Sequence, residues 1–350
     1  MIDWITATVP YVHYEPVQGG AVMGVDEYGE VTWKRDKFVE CEGSYSAHAV
    51  VQTHYPSDHA YSLCKRSGVY RWLRVSGNPS KFLQGHNLFG SENLPALAPL
   101  FFRAVCGAAG LRVDEVTFER WQAGDFRLDR VDVAYMLDVG DRFGVRDTLA
   151  ALAHQATVVN RGRGHIQSGT VSWGKRSSRR AVIKFYDKEA EILAGKRHQL
   201  PENIPHRADL LAYAVGKVRA EVELHSVLLE AAGLRDGSAW HADTASLRWS
   251  QVMESLNITG QVPLTPQRMK DLPSHLRGTY ALWESGRDVR AHLARPTYYR
   301  HRKQLLAVGI DIAQPFRDDY APKVVSLQKV IQPTPAAPPR WAYGTDLLAA

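Results

Sequence analysis

The chain has 350 residues, of which 45% are hydrophobic and 23% charged, a length and composition that favour a globular protein with two structured units. No stretch reaches the roughly 18 to 20 uncharged apolar residues of a membrane helix, and the first residues lack the pattern of a secretion signal. The three cysteines are widely spaced, at Cys41, Cys64 and Cys106. They argue against a disulfide framework or a structural zinc site and indicate a reducing cytoplasm.

Positive charge is concentrated in two segments of the chain, whose net charge is +6. Residues 160–184 include seven basic residues and no acidic one, and residues 268–303 include nine basic and three acidic ones, a balance of 9 − 3 = +6. Because both segments also contain aromatic residues, they favour a nucleic-acid partner over plain solvated surface. The residues predicted to contact DNA are Arg161, Arg163, Lys175, Arg176, Arg179, Arg180, Tyr298, Tyr299, Arg300, Arg302 and Lys303.

The predicted elements of the first half are strands followed by helices. Segments 44–53 and 69–76 are rich in Val, Tyr or Trp and are flanked by turn residues, which predicts strands. Leucine and phenylalanine at helical spacing predict a helix over 94–110 that ends in glycine. The next predicted elements are a strand with interspersed polar residues over 126–139 and a helix over 146–159.

The second half contains further strands and then a series of short helices. The predicted strands cover 170–173, 181–186 and 217–225, with a helix over 189–194. The short helices are predicted over 266–272, 276–284, 289–293 and a last segment that continues to residue 306. Because β-α-β repeats are missing, this order predicts an α+β fold in which helices cover an antiparallel sheet.

Three parts are therefore predicted along the chain. The α+β domain spans 1–265, and a small C-terminal helical domain spans 266–315. The latter is helix-turn-helix-like, because short helices precede one with exposed Tyr, Arg and Lys; the alternative is a basic helical bundle packed on the main domain. The proline-rich segment 316–350 is predicted to be a disordered tail.

Two common site motifs are missing. The sequence contains no Gly-x-x-x-x-Gly-Lys-Ser/Thr phosphate loop, and no two of its 14 histidines stand two positions apart. Any metal ion must therefore be bound through carboxylates.

Three predicted strands supply suitable groups on alternating positions. In Arg130-Val-Asp132, strand alternation places both charged residues on one face and Asp129 on the other. In Arg219-Ala-Glu221-Val-Glu223 the charged residues share a face in the same way. In Lys184-Phe-Tyr186-Asp-Lys188 the polar face consists of the two lysines and the tyrosine.

If these strands are neighbours, one face collects Asp132, Glu221, Glu223, Tyr186 and Lys188. Hard oxygen ligands of this kind suit Mg²⁺ or Mn²⁺, and a tyrosine beside such an ion can attack a phosphodiester. The alternative is a solvent-facing sheet with Lys–Glu pairs across its strands. Periodicity alone leaves both open.

The order of several motifs resembles that of filamentous-phage rolling-circle replication initiation proteins. Residues 76–94, SGNPSKFLQGHNLFGSENL, carry the most specific match. The shorter motifs Arg130-Val-Asp, Trp173-Gly-Lys, Lys184-Phe-Tyr-Asp-Lys and Arg219-Ala-Glu are similar too, as is the C-terminal stretch from Arg295 to Asp311. The similarity covers roughly residues 1 to 315.

The resemblance implies an enzyme that nicks one strand of double-stranded phage DNA at its origin. It implies that Tyr186 is the nucleophile, assisted by Lys188, and that Asp132 and Glu221 bind Mg²⁺ or Mn²⁺, with Glu223 and Asp129 as further candidates. Tyr135, Tyr213 and Tyr280 stay open as alternative nucleophiles.

The implied reaction forms a 5′-phosphotyrosyl link and later rejoins the displaced single strand. A host polymerase and helicase are the implied partners, in the bacterial cytoplasm and without a membrane; the sequence does not indicate the oligomeric state. A non-catalytic, sequence-specific DNA-binding regulator is the alternative, and it does not require Tyr186, Asp132 and Glu221 to meet in space. A tyrosine recombinase would need activating arginine and histidine groups, for which we see no matching arrangement.

Overall fold

A computed structural model describes residues 1–158, 162–175, 177–195, 198–258, 272–306, 310–313 and 336–349. Its strands are β1 (Ile2–His13), β2 (Ala21–Val25), β3 (Val31–Asp36), β4 (Val39–Glu42), β5 (His48–Thr53), β6 (Tyr70–Gly77), β7 (Arg127–Asp138), β8 (Ala156–Val158), β9 (Gly162–Arg163), β10 (His165–Gln167), β11 (Thr170–Trp173), β12 (Ala181–Asp187), β13 (Lys217–His225) and β14 (Leu256–Ile258). Its helices are α1 (Asp58–Ser67), α2 (Pro79–Gln84), α3 (Leu94–Ala108), α4 (Glu115–Gln122), α5 (Arg142–Gln155), α6 (Lys188–Leu193), α7 (Arg207–Ala214), α8 (Ser226–Ala231), α9 (Thr244–Glu254), α10 (Ser274–Glu284), α11 (Val289–His292) and α12 (Arg295–Leu306).

Nine strands form one antiparallel sheet in the order β10-β11-β12-β13-β7-β1-β6-β5-β4. The long strands β7 and β13 pair from Asp138 opposite Lys217 to Arg130 opposite His225. The strands β8, β9 and β14 form a second, three-stranded sheet, and β2 and β3 form a separate hairpin. The large sheet therefore places distant parts of the sequence side by side.

One face of the large sheet packs against helices to form the main core. Alternate residues of β1 and β7 point to this side, among them Ile5, Ala7 and Val133, which are completely buried. Helices α3, α4, α5, α8 and α9 contribute apolar side chains to the same cluster, such as Phe101 and Trp249. Burial of this apolar area is the main source of stability.

A smaller core lies beside the opposite face and is built around the 76–94 motif. Leu88 and Phe89 of the motif pack with Met136 of β7 and with side chains of α6 and α7. The motif is shaped by helix α2, since Asn78 caps its start and accepts a hydrogen bond from the Lys81 amide. Proline follows Asn78 in the first turn and Gly85 (φ 83°) ends the helix, a conformation that glycine adopts without strain.

The C-terminal segment 336–349 completes this second core and is ordered, although we predicted it to belong to a disordered tail. Ala342 and Leu347 are buried in the cluster. The Leu347 carbonyl lies 3.0 Å from His86 Nε2, and the Ala349 amide donates to Gln84 at 2.7 Å. Apolar burial and these bonds outweigh the local proline-rich composition. Residues 316–335 of the predicted tail lie outside the described residues.

Helices α10, α11 and α12 form a helical unit with its own core, to which Leu276, Tyr280, Trp283 and Leu305 contribute. The helix predicted over 266–272 lies outside the described residues but for its last position. The predicted α+β class, with an antiparallel sheet, covering helices and a C-terminal helical part, is confirmed. Within the described residues no helix is long and apolar enough to span a bilayer.

Candidate catalytic centre

The strands β12, β13 and β7 are neighbours in the large sheet. This is the condition under which their polar residues can share one site. Their register sets Lys184 opposite Glu221, and Glu223 opposite Asp132. Because side chains alternate along a strand, these groups lie on the face turned away from the main core. The sheet thus brings together residues that are far apart in the sequence.

Three carboxylates meet on this face. One oxygen from each of Asp132, Glu221 and Glu223 lies within 4.8 Å of the others, and all three residues are buried. We call them the carboxylate cluster. Two cations border it: Arg130 lies 2.5 Å from Asp132 and 3.1 Å from Glu223, and Lys184 contacts Glu223 and lies 3.6 Å from Glu221.

The electrostatics of the cluster are uneven. Burial raises the pKa of Asp132 well above its usual value, and the nearby Glu221 and Glu223 add to the rise despite the Arg130 hydrogen bonds. Burial also raises the pKa of Glu221, assisted by Asp3. For Glu223, burial is outweighed by hydrogen bonds from His225 and Lys184, and its pKa falls to about 2. Three negative charges are therefore incompletely balanced by the two bordering cations.

Tyr186 lies at the edge of this cluster. Its hydroxyl donates to Glu221 Oε2 at 3.3 Å. Burial and then Glu221 raise the pKa of the phenol well above its ordinary value, so the hydroxyl keeps its proton at neutral pH until a base removes it.

The alternative tyrosines lie elsewhere. Tyr135 is in the main core with its hydroxyl on Glu92. Tyr213 packs beside the second core and donates to the Ala336 carbonyl at 3.2 Å. Tyr280 is fully buried in the helical unit. Of these four tyrosines, Tyr186 is the one whose hydroxyl bonds to the carboxylate cluster.

Lys188 is brought near the motif rather than onto the cluster. Its side chain is 1% exposed, its Nζ donates to Asn87 Oδ1 at 3.0 Å, and it forms an ion pair with Glu191. Burial and the neighbouring Arg219 lower its pKa to about 8. Lys188 therefore ties the end of β12, two residues after Tyr186, to the 76–94 motif.

A buried polar network extends from this point and was missed by sequence reasoning. Arg219 Nη2 lies 2.7 Å from Asp3 Oδ1, while Arg219 Nη1 donates to the Asn87 carbonyl at 2.6 Å. The same Asp3 oxygen accepts from Asn78 at 2.7 Å and from Asn87 at 2.8 Å. The motif therefore supports the strand that carries Glu221. Asn78 and Asn87 were the signal, but their partner Asp3 stands 75 residues before the first of them.

Asp129 is not part of the carboxylate cluster. The register of β1 and β7 shifts between Thr6 and Ala7, so that Asp129 has no directly opposed partner. This irregularity breaks the alternation from which we predicted its orientation. Its carboxylate lies between Arg74, at 3.1 Å, and Arg235, at 2.5 Å.

The predicted DNA-contacting residues fall into different settings. Lys175, Arg179, Arg180, Tyr299, Arg300 and Lys303 are exposed. Arg302 is partly exposed and paired with Asp311 at 2.7 Å. Arg161 and Arg176 lie outside the described residues, and only the backbone of Arg163 is described, in β9.

Tyr298 is the exception among these residues. Only 2% of it is exposed, because helical spacing puts it with His301 and Leu305 on the inner face of α12. The prediction that its ring contacts DNA is therefore wrong for this arrangement.

The comparisons with known proteins agree with this two-part organisation. The family model for the N-terminal part of phage replication-associated proteins matches residues 1–243, and the model for the C-terminal part of the same proteins matches residues 264–347. The chain is 34% identical over 340 residues, 97% of its length and 95% of the relative's, to the replication-associated protein of Enterobacteria phage I2-2. It is 26% identical over 178 residues to the replication-associated protein of Salmonella phage IKe, covering 46% and 40% of the two chains. No solved structure matches significantly.

The chain consists of an α+β domain followed by a basic helical unit, and a phage relative matches nearly the whole chain. These findings place the chain in the class of phage replication proteins. It belongs to the family of replication-associated proteins of filamentous phages, as the resemblance of its motifs predicted.

Proposed function

We propose that this protein initiates rolling-circle replication by nicking one strand of the double-stranded phage DNA at the origin, with Tyr186 as the nucleophile. The observation that supports this best is the hydrogen bond from Tyr186 to Glu221 inside a buried group of three carboxylates. Membership in a family of phage replication-associated proteins supplies the biological context. The reaction takes place in the host cytoplasm.

The carboxylate cluster suits a divalent ion. Three buried carboxylate oxygens within 4.8 Å of one another match the hard oxygen ligands that Mg²⁺ and Mn²⁺ take. Burial, and after it the neighbouring carboxylates, raise the pKa values of Asp132 and Glu221, and a doubly charged ion would stabilise the charged form of both groups. Asp132, Glu221 and Glu223 would hold it, and when bound it would neutralise charge on the scissile phosphate.

The side chains then have distinct tasks. Glu221 Oε2 accepts the proton of the Tyr186 hydroxyl as general base, since the two groups already share a hydrogen bond. The Tyr186 oxygen forms a bond to phosphorus, while the bond from phosphorus to the 3′ oxygen breaks. That oxygen leaves with the electron pair and takes a proton from water to become a 3′-OH. Arg130 and Lys184 stabilise the negative phosphate oxygens, and Lys188 assists by holding the end of β12.

The 5′-phosphotyrosyl link preserves the energy of the broken phosphodiester, so the second step needs no nucleotide cofactor. A 3′-OH of the displaced strand attacks the same phosphorus, releases Tyr186 and closes the strand. A host polymerase extends the first 3′-OH and a host helicase separates the strands. The exposed cations of α12 and of the turn after β11 contact phosphates of the origin.

The non-catalytic regulator receives no specific support. DNA binding alone does not require a tyrosine hydroxyl 3.3 Å from a carboxylate of a buried acidic cluster. Burying three carboxylates together costs free energy, and DNA binding alone does not explain why the fold would bear that cost.

The test is a nicking assay on supercoiled phage replicative-form DNA with Mg²⁺ or Mn²⁺. We expect wild-type protein to relax the DNA and form a covalent protein–DNA adduct, and Tyr186→Phe to form none. Glu221→Gln should lower the nicking rate by at least about 100-fold, because it removes a base and a metal ligand together.

Tyr213→Phe is the matched control, since it removes a partly buried phenol that bonds to a backbone carbonyl outside the cluster. It should nick at close to the wild-type rate. An adduct that persists in Tyr186→Phe would move the nucleophile to another tyrosine. Tight origin binding without a nick under any metal would overturn the proposed function.

A further inference from the structure

The sheet continues beyond the carboxylate cluster as a polar face on β7, β1 and β6. Asp132 of the cluster pairs directly with Trp4 of β1. On β1 the residues Ile5, Ala7 and Val9 point into the main core, so Trp4, Thr6 and Thr8 point to the other side. Side chains of three strands form what we call the open face: Arg130 of β7, Trp4 and Thr6 of β1, and Trp72, Arg74 and Ser76 of β6.

Trp4 is held in a fixed orientation on this face. Its indole Nε1 lies 3.1 Å from Ser76 Oγ and 3.2 Å from Thr6 Oγ1, and those two hydroxyls lie 2.7 Å apart. The guanidinium of Arg130 lies 5.6 Å from the centre of the indole ring. Trp4 is nevertheless only partly buried. An oriented aromatic ring therefore stands one strand away from the cluster.

Further along the face, basic and aromatic groups recur on β6. Arg74 is 31% exposed at its side chain, and it shares Asp129 with Arg235, which also pairs with Glu230 at 3.4 Å. Trp72 is partly exposed as well, opposite Pro10 of β1. Aromatic rings interleaved with arginine are the combination that binds single-stranded nucleic acid, with bases stacked on the rings and phosphates beside the cations.

We propose that the open face binds the single strand that adjoins the scissile phosphate, with Trp4 as the stacking platform next to the cluster and Trp72 as a second one. This inference rests on the proposed function, which places a phosphate beside Tyr186. Neighbouring strands are about 4.8 Å apart, so Trp4 on β1 lies two strands, roughly 10 Å, from β13, the strand of Glu221. Trp72 lies opposite Pro10, roughly 20 Å further along the face. A base next to the scissile phosphate can stack on these rings only if it is unpaired, because duplex bases keep their faces stacked on each other.

The occupant follows from continuity and chemistry. The open face borders the cluster directly through the Asp132–Trp4 pair, so a strand that leaves the cluster on the β1 side crosses this face. The faces of unpaired bases match indole rings, whereas a duplex would be held mainly through its phosphates.

The test measures binding of a fluorescently labelled oligothymidylate by anisotropy, using the full chain with Tyr186→Phe so that no nick occurs. Adding Trp4→Ala or Trp72→Ala should weaken binding by roughly 10-fold each, within the range of about 5- to 150-fold that loss of one base–aromatic stack produces. Trp4→Phe keeps a ring and should bind within about 3-fold of its parent.

Trp33→Ala is the matched control. Trp33 is 54% exposed on the β2–β3 hairpin, which is not part of the large sheet, and its loss should leave the affinity unchanged. Because Trp4 is partly buried, Trp72→Ala keeps the proposal testable should Trp4→Ala fail to fold. Ultraviolet cross-linking of 5-iodouracil-substituted oligonucleotide should label peptides from β1 and β6.

Each result bears on a separate claim. Unchanged oligothymidylate binding by a folded Trp4→Ala or Trp72→Ala protein would overturn this proposal, even if Tyr186→Phe abolishes the adduct as expected. Equal weakening by Trp33→Ala would also overturn it and would point to the hairpin. Loss of affinity at Trp4 and Trp72 with an adduct that survives in Tyr186→Phe would support the open face while the proposed nucleophile fails.

Discussion

Replacing Asp3 by alanine is the perturbation that tests the buried network most directly. Asp3 Oδ1 receives hydrogen bonds from Asn78 and Asn87 and lies 2.7 Å from Arg219, whose side chain is 0% exposed. The variant leaves a buried guanidinium without its carboxylate and two amides without an acceptor. It removes no hydrogen bond of Tyr186 or of the carboxylate cluster, although Asp3 contributes to the raised pKa of Glu221.

The magnitude follows from these contacts. Removing one partner of a buried ion pair costs about 3 to 5 kcal/mol of unfolding free energy, and each unsatisfied buried amide costs roughly 1 kcal/mol more. Since contributions within one network do not add fully, we expect a loss of about 5 kcal/mol. That is a large fraction of the roughly 5 to 15 kcal/mol that stabilises a typical protein.

The pH dependence has a defined sign. Burial alone would raise the pKa of Asp3, but Arg219 and then Lys188 outweigh it, and the pKa falls well below its usual range. A carboxyl with a lowered folded-state pKa contributes stability that is complete above its unfolded pKa, about 3.9, and is lost as pH falls through the folded value. The difference between wild type and Asp3→Ala should therefore be full at pH 7 and shrink only in strong acid.

The assay is urea unfolding at pH 7, followed by tryptophan fluorescence. Asp138→Ala is the matched control: it removes an aspartate that also pairs with a cation of β13, Lys217, at 3.3 Å, but its own side chain is 58% exposed. Such an exposed pair contributes roughly 0 to 1 kcal/mol. If Asp3→Ala costs no more than Asp138→Ala, the reasoning about the buried network is refuted.

Three further predictions concern charged groups. The pKa of Lys188 is lowered from 10.5 to about 8, so between these pH values the unfolded chain binds more protons than the folded one. The unfolding free energy of wild type should therefore rise by about 2 kcal/mol relative to that of Lys188→Met between pH 8 and 10. A difference in urea unfolding free energy that does not change with pH would contradict this. Lys184→Met leaves the carboxylate cluster with one of its two bordering cations. Mn²⁺ should therefore raise the melting temperature of this variant more than that of wild type or of the control Lys175→Met, which changes an exposed lysine. Equal shifts in melting temperature would count against the metal site. Arg300→Ala should weaken origin binding and lower the slope of log affinity against log salt by about 1, without changing the melting temperature. Arg302→Ala breaks the ion pair with buried Asp311 and should lower the melting temperature. The opposite pattern would show that Arg302, and not Arg300, contacts the DNA.

Strand alternation was sufficient to predict which side chains of the central strands share a face. The alternating patterns of β7, β12 and β13 grouped Asp132, Glu221, Glu223, Tyr186 and Lys188. The structure brings the three carboxylates together with the Tyr186 hydroxyl on Glu221, but it places Lys188 on Asn87 instead. Alternation failed at Asp129, because a register shift leaves no trace in the hydrophobic pattern of a single strand. Local periodicity therefore predicts faces wherever the ladder is regular.

Long-range partners could not be predicted from the sequence. Strand β1 lies near the centre of the sheet, between β7 and β6, but the sequence pattern did not predict it. Asp3 and Trp4 were therefore missed as well, because their roles depend on residues of the neighbouring strands. The C-terminal segment was missed for a related reason. Its composition predicts disorder, but the partners that order it, among them His86 and Gln84, stand about 260 residues away. Pairings of this kind depend on topology, which local propensity does not encode.

The docking of residues 336–349 onto the 76–94 motif has a consequence for biosynthesis. Ribosomes make the N-terminal strands first, and domains start to fold as they emerge. The second core, however, lacks Ala342 and Leu347 until that part of the chain has been translated. The packing around His86 and Phe89 of the motif is therefore completed late. A chain interrupted before this point would have the strands of the carboxylate cluster but an incomplete second core, so the assembly of this side of the sheet ends only when synthesis passes Leu347.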